Sequence, residues 1–181
     1  MTAPGPEEAA RRSLWVAGLV VLSLVLLLLV LRVVGLDPEQ RRPGLWLRGE
    51  VVTAPVTDWS FLPPNALMAV QTRDWRVPML ATSVTTAYTI VNHKMYVPSS
   101  YPAGVEFPEG RRWNTNVAHD PHVRLKIGTR LYDRILVRIT DPAELAALTE
   151  SFVSGWGTDL GSPGLYVIFF RVDPNDEPNT H

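Results

Sequence analysis

Two adjacent guanidinium side chains, Arg111 and Arg112, stand at the start of a short predicted helix, Arg111 to His119. A helix start already offers unpaired backbone N–H groups and the positive end of the macrodipole, so cations added there suit a phosphate-sized anion. Arginine's planar fork can hold such an anion through paired hydrogen bonds. The same pair would also serve as a solvated helix start facing Glu106 or Glu109. Trp113 and Asn116 lie three residues apart and therefore on one helix face. Trp113 would either wall a planar ligand or pack into the core beneath the helix. Upstream, Thr82, Ser83, Thr85 and Thr86 share one long predicted strand, where alternation sends pairs of hydroxyls to one side and towards a common cleft. Plain β-propensity explains them better. Ser99 and Ser100 follow a strand end, placed for ligand hydrogen bonds or simply for a turn.

Other chemistries lack the residues they need. With no cysteine, disulfides, thiolate metal sites and a cysteine nucleophile are excluded. His93, His119, His122 and His181 are scattered, and Asp120-Pro121 breaks the helix geometry between the two closest, so no metal site is expected. No G-x-S-x-G, H-E-x-x-H, P-loop or Rossmann glycine pattern occurs, which removes support for hydrolytic and nucleoside-triphosphate chemistry. No side chain stands out as a general acid or base. The formal charge of −1, from 17 basic and 18 acidic residues, indicates no nucleic-acid partner.

The elements that must position these residues are mostly short strands. Leu45 to Val52 reads as the first, Ala66 to Thr72 as the second and Met79 to Val91 as the long third. Asn92-His93-Lys94 turns the chain, Met95-Tyr96-Val97 returns, and Pro98 is expected to end that strand. A loop from Ser99 to Gly110 leads into the Arg111 helix, which Asp120-Pro121 stops. Val123 to Ile127 and Leu131 to Thr140 form a hairpin about Gly128-Thr129. Asp141-Pro142-Ala143-Glu144 carries the marks of a capped helix start, with the helix running to about Trp156 and Gly155, Gly157 and Gly161 breaking it. Leu165 to Val172 is the last strand. The loop Asp58-Trp59-Ser60-Phe61 would be a lid, a membrane-facing contact or a plug closing a barrel end. Six or seven strands joined mainly by hairpins predict a closed, mainly β fold, since closure removes exposed edges.

All of this follows an uninterrupted run of uncharged, largely Leu and Val residues from Ser13 to Leu31. A crossing of the bilayer takes about 20 apolar residues, so one membrane-spanning helix is expected at 13–36, behind a polar tail at 1–12. A linker at 37–44 would let a domain at 45–172 stand off the membrane, and 173–181 would be a disordered tail. Arg11 and Arg12 precede the span, whereas Arg32, Arg41, Arg42 and Arg48 follow it. By the positive-inside rule that count favours a cytoplasmic domain on a single-pass cell-membrane protein, with the lipid bilayer as its first partner.

One stretch carries a family pattern. Met95-Tyr96-Val97-Pro98, then Arg111-Arg112-Trp113-x-x-Asn116-Val117, then Asp120-Pro121-His122-Val123-Arg124-Leu125 resembles the flavin-binding split β-barrel superfamily. Its members include pyridoxamine-phosphate-oxidase-like and deazaflavin-dependent nitroreductase-like proteins. Leu131-Tyr132-Asp133-Arg134-Ile135 and the Asp141 helix occupy the corresponding places, so the resemblance covers about Leu67 to Val172. It implies a split β-barrel with two short helices, and FMN or deazaflavin F420 as cofactor. The cofactor-binding set it suggests is Arg111, Arg112, Trp113, Asn116, Thr82, Ser83, Ser99 and Ser100, with the arginines near the flavin phosphate. It further implies a cleft between the subunits of a homodimer and oxidoreductase activity on a membrane-associated substrate such as a quinone. The T-x-G-R-K-S-G-like stretch of the deazaflavin branch is missing, its place being taken by Arg76-Val77-Pro78-Met79-Leu80-Ala81-Thr82. Families of this kind also contain cofactor-free members, so a non-catalytic accessory or scaffold subunit of a membrane complex is the alternative.

Overall fold

A computed structural model describes residues 6–40, 42–156 and 164–175, and the chain divides into two compact units, Met1–Gly35 and Leu36–His181. The expected glycine breakers at 157 and 161, and the tail beyond residue 175, lie outside the described residues. The first unit is a single helix, α1 (Pro6–Val34). It starts earlier than the apolar run alone predicts, because Glu7 and Glu8 favour the first turn and Arg12 pairs with Glu8 one turn away at 2.6 Å. Its end is set by Gly35, whose φ of 80° belongs to the left-handed region and whose N–H donates to the Leu31 carbonyl. Within Ala10–Val34 the most apolar 18 residues have a mean hydropathy of 3.0, and the helix is long and apolar enough to cross a membrane.

The second unit is built from β1 (Glu50–Val51), β2 (Asn65–Arg73), β3 (Ala81–Val91), β4 (Lys94–Pro102), α2 (Arg112–His119), β5 (His122–Ile127), β6 (Arg130–Arg138), α3 (Pro142–Trp156) and β7 (Leu165–Pro174). Strands β2, β3, β4, β7, β6 and β5 pair antiparallel in that order, and β5 returns to β2, so six strands close a barrel. The two-residue β1 adds to β6 in parallel. The fold is therefore mainly β, a closed six-stranded barrel with one added strand. Asn92 and His93, at φ 50° and 67°, form the tight β3–β4 turn that primed hairpins require.

Three expectations need correction. The first strand is only Glu50–Val51: Leu45 and Trp46 bond instead to Leu36, and the Leu47 N–H donates to the Gln71 side chain. The apolar run Leu45-Trp46-Leu47 is here used by a strap laid on the sheet, with Leu47 buried. Secondly, the two ends of the expected linker, Asp37 and Gly44, do not stand free. Gly44 and Ser83 exchange both backbone hydrogen bonds, at 2.8 and 3.0 Å, and Asp37 pairs with Lys126. Thirdly, Pro98 does not end β4. It ends only the pairing with β3, which stops at Thr89↔Tyr96, while β4 continues against β7 to Pro102. A proline lacks the N–H that a ladder needs, so a strand holding one survives by leaning on its other neighbour.

The barrel interior is filled by Met68, Val70, Tyr88, Met95, Val97, Val123, Leu125, Tyr132, Leu136, Phe170 and their neighbours. Trp59, 2 % exposed and hydrogen-bonded through its N–H to His93, plugs the end near the β3–β4 turn, the last of the three roles open to its loop. Trp113 and Val117 of α2 join the same core. The guanidinium of Arg134 lies inside, over the faces of Trp59 and Tyr132 at 5.4 and 5.7 Å.

Outside the barrel, α3 packs Leu148 and Phe152 against Tyr96, Ile139 and Phe169. Asp141 caps α3 through the Glu144 N–H at 2.8 Å. The Glu144 carboxylate accepts from the Tyr96 hydroxyl at 3.0 Å. Burial first, and that carboxylate second, push the Tyr96 phenol up to about 12. A phenol whose pKa is raised on folding stabilises the fold fully below its unfolded value, and that contribution fades as pH rises through the folded value. Tyr96→Phe is expected to cost about 1 kcal/mol at neutral pH. It should also flatten the loss of stability above about pH 10, read as the melting midpoint against pH.

Candidate ligand cleft

The early end of the β3–β4 ladder creates the site. Beyond Thr89 and Tyr96 the two strands part, and a cleft of about 620 Å³ opens between Val84–Ala87 on one side and Pro98–Ser100 on the other. Its volume is in the range of about 300–1,000 Å³ typical of small-molecule sites. The strap supplies one wall through Gln40, Arg42 and Pro43. Arg111 and Trp113 come from the start of α2, and Phe152 and Trp156 come from α3.

The lining is cationic and aromatic. Arg42 and Arg111 carry the charge, and no acidic residue lines the cleft among the described residues. Arg111 caps α2 from extended backbone, and its Nε donates to the Ser100 carbonyl at 2.8 Å, which holds the guanidinium beside the cleft. Its terminal nitrogens have no protein partner among the described residues. Trp113 and Trp156 offer flat surfaces, and the Thr85 hydroxyl donates to the Pro38 carbonyl at 3.5 Å. The buried Nε1 of Trp156 is unpartnered among the described residues. A planar body carrying an anionic group matches that donor set: rings for stacking, guanidiniums for the charge, hydroxyls and an indole N–H for polar edges.

Of the eight residues singled out from sequence, the structure brings Ser99, Ser100, Arg111 and Trp113 onto this cleft. The other four have different surroundings. Thr82 sits with Thr72 near the Asn116 amide, whose Nδ2 donates to Thr72 at 2.9 Å and to Thr82 at 3.4 Å. Ser83 is buried under the strap at Gly44. Arg112 turns to Asp74, its Nε donating to Oδ2 at 2.7 Å. Thr85 and Thr86, named on the same strand, do line the cleft.

Beneath the cleft floor, Asn114 is fully buried and its Nδ2 donates to Ser99 at 2.7 Å and to the Tyr101 hydroxyl. Asp74, also fully buried, accepts from the Arg76 and Val77 N–H groups at 3.0 Å each. Burial alone would raise its carboxyl, but Arg112 and those N–H groups outweigh it and hold the carboxyl below the ordinary range. Sequence reasoning missed Arg42, Gln40, Phe152 and Trp156, which reach the cleft from elements distant in the chain. Asp37 and Glu39 stand beside Arg41 and Arg42 in the sequence, so no local pattern pointed to them.

A serine, a histidine and an aspartate also meet away from the cleft, but not as a hydrolytic triad. Ser60 Oγ and Asp58 Oδ1 both contact the same nitrogen, Nδ1 of His93, at 2.6 and 3.3 Å. A relay needs the two partners on opposite ring nitrogens. The cluster latches the Trp59 loop to the turn.

Comparison with known proteins adds little to this geometry. No known family and no curated protein matches the sequence. Among solved structures, the chain is similar to a pyridoxamine 5′-phosphate oxidase-like protein of Listeria innocua, at 15 % identity. The match spans 59 % of this chain and 82 % of the other, with a TM-score of 0.40. The closed six-stranded barrel rests on the strand pairings themselves.

Proposed function

We propose that this is a membrane-anchored split-barrel protein whose β3–β4 cleft binds a phosphate-bearing planar cofactor, FMN or a deazaflavin, in a redox reaction on a membrane-associated substrate. The observation that carries the reading is the pairing of Arg42 and Arg111 with an aromatic wall in one cleft, which no acidic residue lines among the described residues. Such a cofactor, when bound, supplies the hydride chemistry. The chain's own part is to hold its anion with Arg42 and Arg111, to pack its ring system against Trp113 and Trp156, and to screen it from water behind the strap. The apolar helix α1 supports the anchor, and tethering raises the local concentration of membrane-soluble substrates.

The test is a fluorescence titration of the detergent-purified full chain with FMN and, separately, with a deazaflavin. Charge-assisted hydrogen bonds contribute about 1.5–3 kcal/mol each, so Arg42→Ala and Arg111→Ala should each weaken binding by at least about tenfold. Absence of binding to either cofactor would overturn the reading. It would also favour a second one, an accessory subunit without catalysis, which the strap supports by filling part of the gap between β3 and β4.

A further inference from the structure

The loop joining β2 to β3 is built in an unusual way. Trp75, Val77 and Met79 are 43, 51 and 81 % exposed, so alternate residues of Trp75–Met79 present apolar side chains to solvent. The loop is nevertheless tightly held. Asp74 accepts from two of its N–H groups, the Asp74 N–H donates to the Leu80 carbonyl at 2.9 Å, and the Leu80 N–H to Val77 at 2.8 Å. The Trp75 N–H donates to Asn116 at 3.3 Å, and its ring stacks on His119 at 4.7 Å. A buried carboxylate and a buried amide thus fix a loop whose tips are apolar and outward. Water as the neighbour gives no reason for that arrangement.

The chemistry of the tip identifies the neighbour. Arg76 lies over the Trp75 ring at 5.0 Å, and Trp beside Arg is the pairing favoured where hydrocarbon meets headgroups. Arg73, paired with Asp120 at 3.8 Å, and Arg112, paired with Asp74, flank it, while the loop's one acid, Asp74, is buried. The chain's course places a bilayer within reach. Leu36 follows the last residue of α1 by two positions, and the strap it begins is fastened at Ser83. Ser83 is two residues into β3, about 7 Å of strand from the loop's end. The opposite end of β3 carries the exposed polar turn Asn92-His93-Lys94.

We infer that the Trp75–Met79 loop is a second membrane contact, inserting Trp75, Val77 and Met79 into the lipid interface with Arg76 at the anionic headgroups. The inference rests on the reading of α1 as a membrane span. Together the span and the loop give the barrel two attachments and so a fixed face towards the bilayer.

The chain has no cysteine, so single labelling sites can be introduced cleanly. The full chain is placed in nanodiscs of equal phosphatidylcholine and phosphatidylglycerol, with a spin label at Val25→Cys, Val77→Cys, Met79→Cys or Lys94→Cys. Collision with oxygen, which concentrates in lipid, is compared with collision with a water-soluble nickel chelate. Labels at 25, 77 and 79 are expected to favour oxygen several-fold over the label at 94. Lipid exposure at 25 with water exposure at 77 and 79 would overturn the loop contact and leave the anchor standing. Water exposure at 25 would overturn both. Shielding from both reagents at 79, with broadening between labels, would place a second copy of the chain there and also overturn the inference.

Discussion

Arg112→Ala is expected to destabilise the barrel by about 3 kcal/mol at neutral pH, more than an exposed arginine ordinarily would. The reason is asymmetry within the pair: the Arg112 side chain is 63 % exposed and that of Asp74 is 0 % exposed. Removing the arginine therefore costs little on its own account but strands a buried carboxylate. The two backbone N–H groups that remain on Asp74 keep the loss at the lower end of the range for an orphaned buried charge. The pH dependence separates this cause from lost packing. In the natural chain the Asp74 carboxyl is held below its unfolded value, so its contribution is present above about pH 4 and is lost as pH falls through the folded value. In the variant, burial acts with less opposition and raises the carboxyl. Acidification then neutralises the stranded charge, and the deficit against the natural chain should shrink. Denaturant midpoints at neutral and mildly acidic pH measure both curves. A deficit independent of pH would show that Asp74 is not its source.

Trp113→Ala should cost about 3–5 kcal/mol, the range for removing a large aromatic from a core. Trp113 is 7 % exposed and packs on Phe170 at 5.7 Å. It also lines the cleft, so the loss of stability should be accompanied by loss of cofactor binding. Trp113→Phe keeps a ring with less volume and should cost under about 1.5 kcal/mol, with binding weakened rather than abolished. Thermal midpoints and the same fluorescence titration report the two effects separately. Full binding by the alanine variant at a temperature where it remains folded would remove Trp113 from the ligand wall.

What was legible in the sequence was local. The β5–β6 hairpin, the Asp141 cap and the stop of α2 before Pro121 depend on residues within a few positions of one another. Arg111 was found for the same reason, since a cation at a helix start is a nearby pattern. Partners across the chain were not legible. Arg112 meets Asp74 38 positions away, and nothing around either residue announces the other. Pro98 illustrates the limit well: its missing N–H is visible in the sequence, but which of two neighbouring strands loses it depends on β7, about 70 residues later. The strap escaped because Leu45-Trp46-Leu47 is a short apolar run of the kind a buried strand shows, although it serves to bury Leu47 on the outside of a completed sheet.

That strap has a bearing on how such a cleft changes over evolutionary time. Gln40, Arg42 and Pro43 hang between two fastenings, the Asp37–Lys126 pair and the Gly44–Ser83 bridge. A side chain at Gly44 would collide with the Leu36 carbonyl, the Ser83 hydroxyl and the Pro38 nitrogen, so the second fastening tolerates only glycine. Between those two points Glu39 and Arg42 exchange backbone hydrogen bonds at 3.2 and 2.8 Å and Pro38 accepts from Thr85, but the segment has no role in closing the barrel. Residues inserted or deleted there would widen, narrow or recharge one bank of the cleft and leave every rung of the barrel untouched. Ligand preference and architectural integrity are thereby separately heritable in this protein.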